Sequence, residues 1–226
     1  MEENNEQKFK VDTENLKNET METAKRVKES MKGTNIKEET KATKGFIMDM
    51  IKNPIDKIKE VANDNSASFF KTALFIILIW TMIVFIETGY DTISYWGFSR
   101  IFKNILEALK DILAPTIGIL VYSITALILN KEKKPLTTII STVTITKLPV
   151  IASNLVSFLL IISSGLYVIT TPFTKICSII AIVLRYFGFK HLFGNEEDKT
   201  FIKKFVIIEL VYAVAYIVIR LLGIYI

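Results

Sequence analysis

The sequence predicts an all-α fold: a polytopic membrane helical bundle of about five transmembrane helices, preceded by a polar cytosolic tail and an amphipathic juxtamembrane helix. Three observations predict it. Half of the 226 residues are hydrophobic, and the mean hydropathy is +0.38. Charge is segregated: residues 1–68 hold 13 of the 28 Lys and Arg and 14 of the 23 Asp and Glu. Beyond residue 68, apolar runs reach the roughly 20 residues needed to cross about 30 Å of hydrocarbon.

The elements follow in chain order. Residues 1–44 are rich in Lys, Glu, Asn and Thr, with a thin helical stripe of Leu16, Thr20, Ala24, Val27 and Met31. Such a composition buries too little to fold alone and reads as a solvated, partly helical or disordered tail. Residues 45–65, "GFIMDMIKNPIDKIKEVANDN", are different. Ile47, Ile51, Ile55 and Ile58 recur at helical spacing, and Phe46, Met50 and Val61 widen the stripe. Asn53 can cap a helix that starts at Pro54, and the residue before a proline tends to leave helical space. The segment therefore reads as two short helices joined at an elbow. Lys44, Lys52, Lys57 and Lys59 could reach lipid headgroups while Phe46, Ile47, Met50, Ile51, Ile55 and Ile58 sink into the membrane interface. The alternative is a helix packed on the protein's own loops.

The spans are expected at about 69–88, 112–130, 137–164, 172–189 and 201–222. Residues before 69 show no pattern of a cleavable leader, so the first span is expected to act as a retained anchor. Lys147 and Pro149 split the third span, leaving 136–147 either interfacial or part of it. Pro115, Pro135 and Pro172 are expected at helix starts, where the missing N–H costs nothing. Ser153 and Ser157 make a small-xxx-small pair suited to close helix approach. Lysines at 131, 133, 134, 190, 199, 203 and 204 place those short loops inside, the N-terminus in the cytosol and the C-terminus outside. The 89–111 connection, with Arg100, Lys103 and Lys110, runs against that rule, although Tyr90, Tyr95 and Trp96 suit an outer aromatic belt.

Arg185 and Glu209 are charges inside the last two spans, and with Lys147 and Pro149 they are the expected intramembrane polar and structural residues. If a hairpin turns near Glu197, both lie 12 residues from its centre, at similar depth. Chemistry is otherwise sparse. The single histidine, His191, sits at a membrane edge, and the single cysteine, Cys177, lies among apolar neighbours and permits no intramolecular disulfide. Glu196, Glu197 and Asp198 read as a solvated turn. No metal spacing, phosphate-cradling glycine loop or basic nucleic-acid patch is present. No catalytic residue, cofactor, metal, small-molecule substrate or nucleic-acid partner is assigned.

A short hydrophobic–"NP"–amphipathic segment ahead of a five-span domain resembles the Yip (Ypt-interacting protein) domain family, bacterial branch. "KLPVIASNLVSFLL" (147–160) looks like that family's proline-bearing third span, "IIAIVLRYFGFKHLFG" (179–194) like its fourth, and "KTFIKKFVIIELVYAVAYIVI" (199–219) like its last. The resemblance covers about 45–226. The acidic and "GYG"-like elements of the eukaryotic trafficking members are missing, so no GTPase partner is implied. It implies a non-enzymatic integral protein of the cell membrane that organises membrane or binds partners: the lipid bilayer, other membrane proteins or itself. The alternatives are a small transporter or channel component, drawing on Lys147, Arg185, Glu209, Asn154 and Glu87, and an accessory subunit of a larger membrane complex.

Overall fold

The computed structural model describes residues 36–64, 68–96, 101–130, 134–164, 167–194 and 196–221, with Met21 and Lys25 in addition. Every regular element among them is an α-helix: α1 (Ile36–Lys52), α2 (Pro54–Asn63), α3 (Phe70–Trp96), α4 (Ile101–Leu129), α5 (Leu136–Thr146), α6 (Leu148–Ser164), α7 (Tyr167–Leu192) and α8 (Asp198–Leu221). Among the described residues, three stretches are long and apolar enough to cross a membrane: Phe70–Glu87, Leu136–Leu160 and Val168–Leu192. Thr116–Leu129 is a shorter apolar helix. The outward surface agrees with a membrane setting. Leu78, Met82 and Phe85 on α3, Ile176, Ile179 and Val183 on α7, and Leu210, Val214 and Ile217 on α8 are all exposed. Soluble monomers seldom show so much contiguous apolar surface.

α1 and α2 meet at an elbow on Asn53, whose φ of −136° and ψ of 68° leave helical space ahead of Pro54. Asn53 holds the cap position but makes no side-chain capping bond, contrary to the expectation. Backbone bonds carry the join instead, from Asn53 N–H to the Asp49 carbonyl at 2.9 Å and from Lys57 N–H to the Asn53 carbonyl at 3.0 Å. Helix α1 starts nine residues earlier than the tail boundary at 45 would suggest, and Lys71 ties it to α3 through Glu39 at 2.5 Å. The stripe at Leu16, Thr20, Ala24, Val27 and Met31 lies outside the described residues.

Asp64 starts the bundle proper. Its Oδ2 accepts from Ser68 N–H at 2.7 Å, Ser68 Oγ at 2.9 Å and Phe69 N–H at 3.4 Å, satisfying donors that precede α3. Its carbonyl accepts from Thr138 Oγ1 at 2.6 Å, which pins the start of α5 beside it. Asn130 Nδ2 donates to the Leu192 carbonyl at 3.3 Å, so α4 and α7 end together at this same near end. Tyr186, Phe189, Phe193, Phe201 and Phe205 stack around the α7–α8 turn, with centroids 5.2–6.2 Å apart. Glu196 and Asp198 in that turn pair with Lys204 and Lys190. Glu196 is largely buried, so the acidic trio is not simply a solvated turn.

Helix α5 is the centre. All its residues from Thr137 to Thr146 are buried, as is Lys147 after it, and α5 and α6 together carry one apolar stretch, Leu136–Leu160. Eleven residues span about 16 Å, too short to cross a bilayer alone. Of its six hydroxyl side chains, Ser141, Thr142 and Thr146 donate back to carbonyls about one turn earlier, at 2.7–2.9 Å, and Thr138 donates to Asp64, while the Thr137 and Thr144 hydroxyls are buried without a partner among the described residues. Helix α7 comes very close here. A Cβ on Gly188 would meet Thr142 Cγ2 at 2.8 Å, so only glycine permits this approach.

Two prolines sit where the sequence reading did not expect them. Pro115 lies inside α4 and Pro172 inside α7, not at helix starts. Pro172, the sixth residue of α7, deprives the Val168 carbonyl of its usual helix partner. The helices simply extend beyond their apolar runs: α3 continues to Trp96 and α4 begins at Ile101, absorbing most of the 89–111 connection. Pairing differs too. α8 follows α7 in sequence, yet it packs chiefly against α4.

Candidate functional site

The break between α5 and α6 positions the first polar centre. Pro149 has no N–H, so the Ile145 carbonyl loses its usual partner. Lys147 N–H bonds instead to the Thr144 carbonyl at 3.1 Å, a tight turn that separates the two helices. The Lys147 side chain is thereby delivered into the bundle, where it is only 6% exposed. Its Nζ lies 5.2, 5.4 and 5.7 Å from the ring centres of Tyr212, Tyr122 and Trp80.

Arg185 and Glu209 complete the cluster. Arg185 Nε donates to Glu209 Oε1 at 3.0 Å and Nη2 to Oε2 at 3.4 Å, a two-pronged contact. Tyr122 Oη donates to Glu209 Oε2 at 2.8 Å, and the Arg185 guanidinium carbon lies 4.9 Å from the Tyr122 ring. Tyr122 itself stacks on Tyr212 with centroids 4.2 Å apart. The cluster holds two cations and one carboxylate. Aromatic faces supply the remaining negative field, each contact being worth about 0.5–2 kcal/mol when desolvated. Both carboxylate oxygens are engaged within the chain, and the arrangement is closed.

Of the residues singled out by sequence, Arg185, Glu209, Lys147 and Pro149 thus converge on one place. Trp80, Tyr122 and Tyr212 were missed. Each lies in an apolar run where an aromatic looks like ordinary packing, so only their meeting in space marks them. The interfacial set is divided. Phe46, Met50 and Ile58 are buried in the core with Val61 and Ala62, Ile47 is partly covered, and Ile51 and Ile55 stay exposed, Ile51 at 70%. Lys57 Nζ stands 5.4 Å from the Phe46 ring and 5.3 Å from Phe69, closing the inner edge. The outer edge of α1 and α2 therefore presents Met48, Ile51 and Ile55 among Lys44, Lys52 and Lys59.

A second polar region lies toward the opposite, far end. A cleft of about 580 Å³ opens between α6 and α7, lined by Glu87, Asn154, Ser157, Thr170, Thr171, Thr174, Lys175, Ser178 and Ile179. Ser157 Oγ and Thr174 Oγ1 approach to 3.4 Å across it. The transporter candidates are thus split, with Glu87 and Asn154 in the cleft and Lys147, Arg185 and Glu209 in the closed cluster. Ser153 of the small-residue pair is buried and bonds its own helix at the Val150 carbonyl, 2.8 Å away. Cys177 is buried and His191 half-buried at the near end. Tyr90 packs edge-on against Phe158 at 5.8 Å, while the side chains of Tyr95 and Trp96 lie outside the described residues. Among the described residues no three His, Cys, Asp or Glu side chains gather as metal ligands.

No family model, curated protein or solved structure matches this chain.

Proposed function

We propose that the chain is a non-enzymatic integral membrane protein of Yip-domain type, a scaffold that organises membrane or holds a partner at its α1–α2 edge. Five spans carry it: α3, α4, α5 with α6, α7 and α8, with the N-terminus in the cytosol of a bacterial cell and the C-terminus outside the cell membrane. The apolar outer faces of α4 and α8, with Leu120, Ile128, Leu210 and Val214 exposed, support the two spans beyond the three that length and composition give.

One observation supports the scaffold reading above the rest. α1 and α2 bury one edge in the core while Met48, Ile51 and Ile55 face outward beside lysines. A platform fixed to the bundle can present that edge to lipid and to a partner at the membrane surface. The closed charge cluster fits the same reading, since its charges are paired or covered by aromatic rings and link several helices. A photo-reactive residue at Ile51 or Ile55 of the full chain in cells should give a discrete adduct with another protein. The same probe at buried Ile58 should react only within the chain. Lipid adducts alone at Ile51 and Ile55 would remove partner binding from the proposal.

A small transporter or channel component is the second reading, favoured by the cleft between α6 and α7. Solute flux in proteoliposomes separates the two.

A further inference from the structure

Helix α1 presents two faces of opposite character. Thr43, Phe46 and Met50 are buried against the bundle. Lys41, Lys44, Met48, Ile51 and Lys52, at positions i, i+3, i+7, i+10 and i+11, share the other face, and all five are exposed. Ile51 is 70% exposed and Met48 48%. The acidic groups of the helix lie elsewhere. Glu39 turns inward to Lys71, while Glu38 and Asp49 share an adjoining side. The outward face therefore sets three ammonium groups around two large apolar side chains.

Two anchors fix how this face lies. Glu39 meets Lys71, and the Phe46 ring packs on Phe69 with centroids 5.7 Å apart. The two anchors are about 10 Å apart along α1, yet they meet positions only two residues apart at the start of α3. Helix α1 thus crosses the start of α3 instead of running beside it. Because α3 carries the apolar stretch Phe70–Glu87, that crossing puts α1 where the chain enters the membrane. The inference below deepens the platform reading proposed above and rests on it.

We propose that the outward face of α1 docks on anionic phospholipid in the leaflet beside it, with Lys41, Lys44 and Lys52 at lipid phosphates and Met48 and Ile51 among the upper acyl groups. Nucleic acid would match the lysines alone, whereas a lipid surface matches the lysines and the apolar pair together. Charge makes the face selective. Each lysine close to an anionic leaflet contributes about a fivefold preference over a neutral one. Docking stops at the elbow, because Asp56, Glu60 and Asn63 make up the outward face of α2.

The test uses Ile51→Cys and Asp56→Cys, each in the full chain with Cys177→Ala, and their rates of reaction with an uncharged, water-soluble maleimide. The protein is held in nanodiscs of phosphatidylcholine alone or of phosphatidylcholine with phosphatidylglycerol. Ile51→Cys should react about tenfold more slowly when phosphatidylglycerol is present, short of three full lysine contributions. Asp56→Cys should react equally in both. Replacing Lys41, Lys44 and Lys52 together by Gln should abolish the difference, and replacing them by Arg should keep it. All three side chains are exposed, so neither replacement disturbs the core. Equal rates for Ile51→Cys in the two discs, or a difference that survives the Gln replacement, overturn the proposal. Equally slow reaction in both discs and in detergent would assign the face to protein, whether a second copy or this chain's own tail, and overturns it as well. Ile58→Cys separates this from the platform itself. Fast reaction there would mean that α2 is not fixed to the bundle, and both readings fail. A shielded Ile58→Cys with equal rates at Ile51→Cys ends lipid docking alone.

Discussion

The bundle contains two polar regions that both draw side chains from α7, and they behave in opposite ways. Lys147 precedes α6 and Arg185 lies on α7, yet around them every charge is enclosed by aromatic rings or paired. Farther along the same helices, Asn154, Ser157, Thr174, Lys175 and Ser178 line a gap of about 580 Å³. Aromatic volume makes the difference. Trp80, Tyr122 and Tyr212 fill the space around the first region and also supply the negative field its cations need. The second has no such ring among its lining residues, and its small hydroxyls leave room. A polar group in this bundle is therefore closed in where aromatic bulk surrounds it and left beside open space where bulk is missing.

The largest test of that contrast falls on the Arg185–Glu209 pair. Removing one partner leaves a buried charge unmatched, at a cost of about 3–5 kcal/mol in dry interiors. The Glu209 side chain is 26% exposed, so about 2–3 kcal/mol is expected here. Arg185→Leu and Glu209→Leu should each lower thermal stability in detergent by that amount. The double replacement should regain much of it. Strictly additive losses would mean the cluster is not a joint.

A finer test sets one hydroxyl from each region side by side. Tyr122→Phe removes the 2.8 Å bond to Glu209 and should destabilise by about 1 kcal/mol, near the upper part of the range for interhelical bonds in membranes. Ser178→Ala removes a hydroxyl that only folds back on its own helix, and should change stability by less than about 0.5 kcal/mol. Equal melting shifts for the two would erase the distinction between closed and open regions.

Much of the architecture was legible because it rests on periodicity and charge. The elbow at Asn53–Pro54, the break at Lys147–Pro149 and the equal depth of Arg185 and Glu209 all follow from spacing along the chain. What the sequence hid depends on meetings across it. Ile58 and Ile51 belong to one stripe, yet Ile58 packs in the core while Ile51 is exposed. Hydropathy cannot distinguish an apolar face turned to lipid from one turned to protein, since both want the same side chains. Lys147 and Pro149 leave open whether 136–147 lies at the interface, because a break in the sequence does not say what packs around it.

The short central helix has a consequence in time as well as in space. Eleven residues with six hydroxyls, followed by a lysine, cannot be handed to lipid as an independent span. Leu136–Thr146 packs against α2, α3 and α4, which are made before it, and against α7, which is made after it and closes over it at Gly188. Cover of α5 is therefore expected to be completed only when α7 is made. Chains truncated after Ser164 should leave Thr142 open to an impermeant or a bilayer-soluble thiol probe when replaced by cysteine. Chains that extend through Leu192 should protect it, and equal protection in both would place closure earlier.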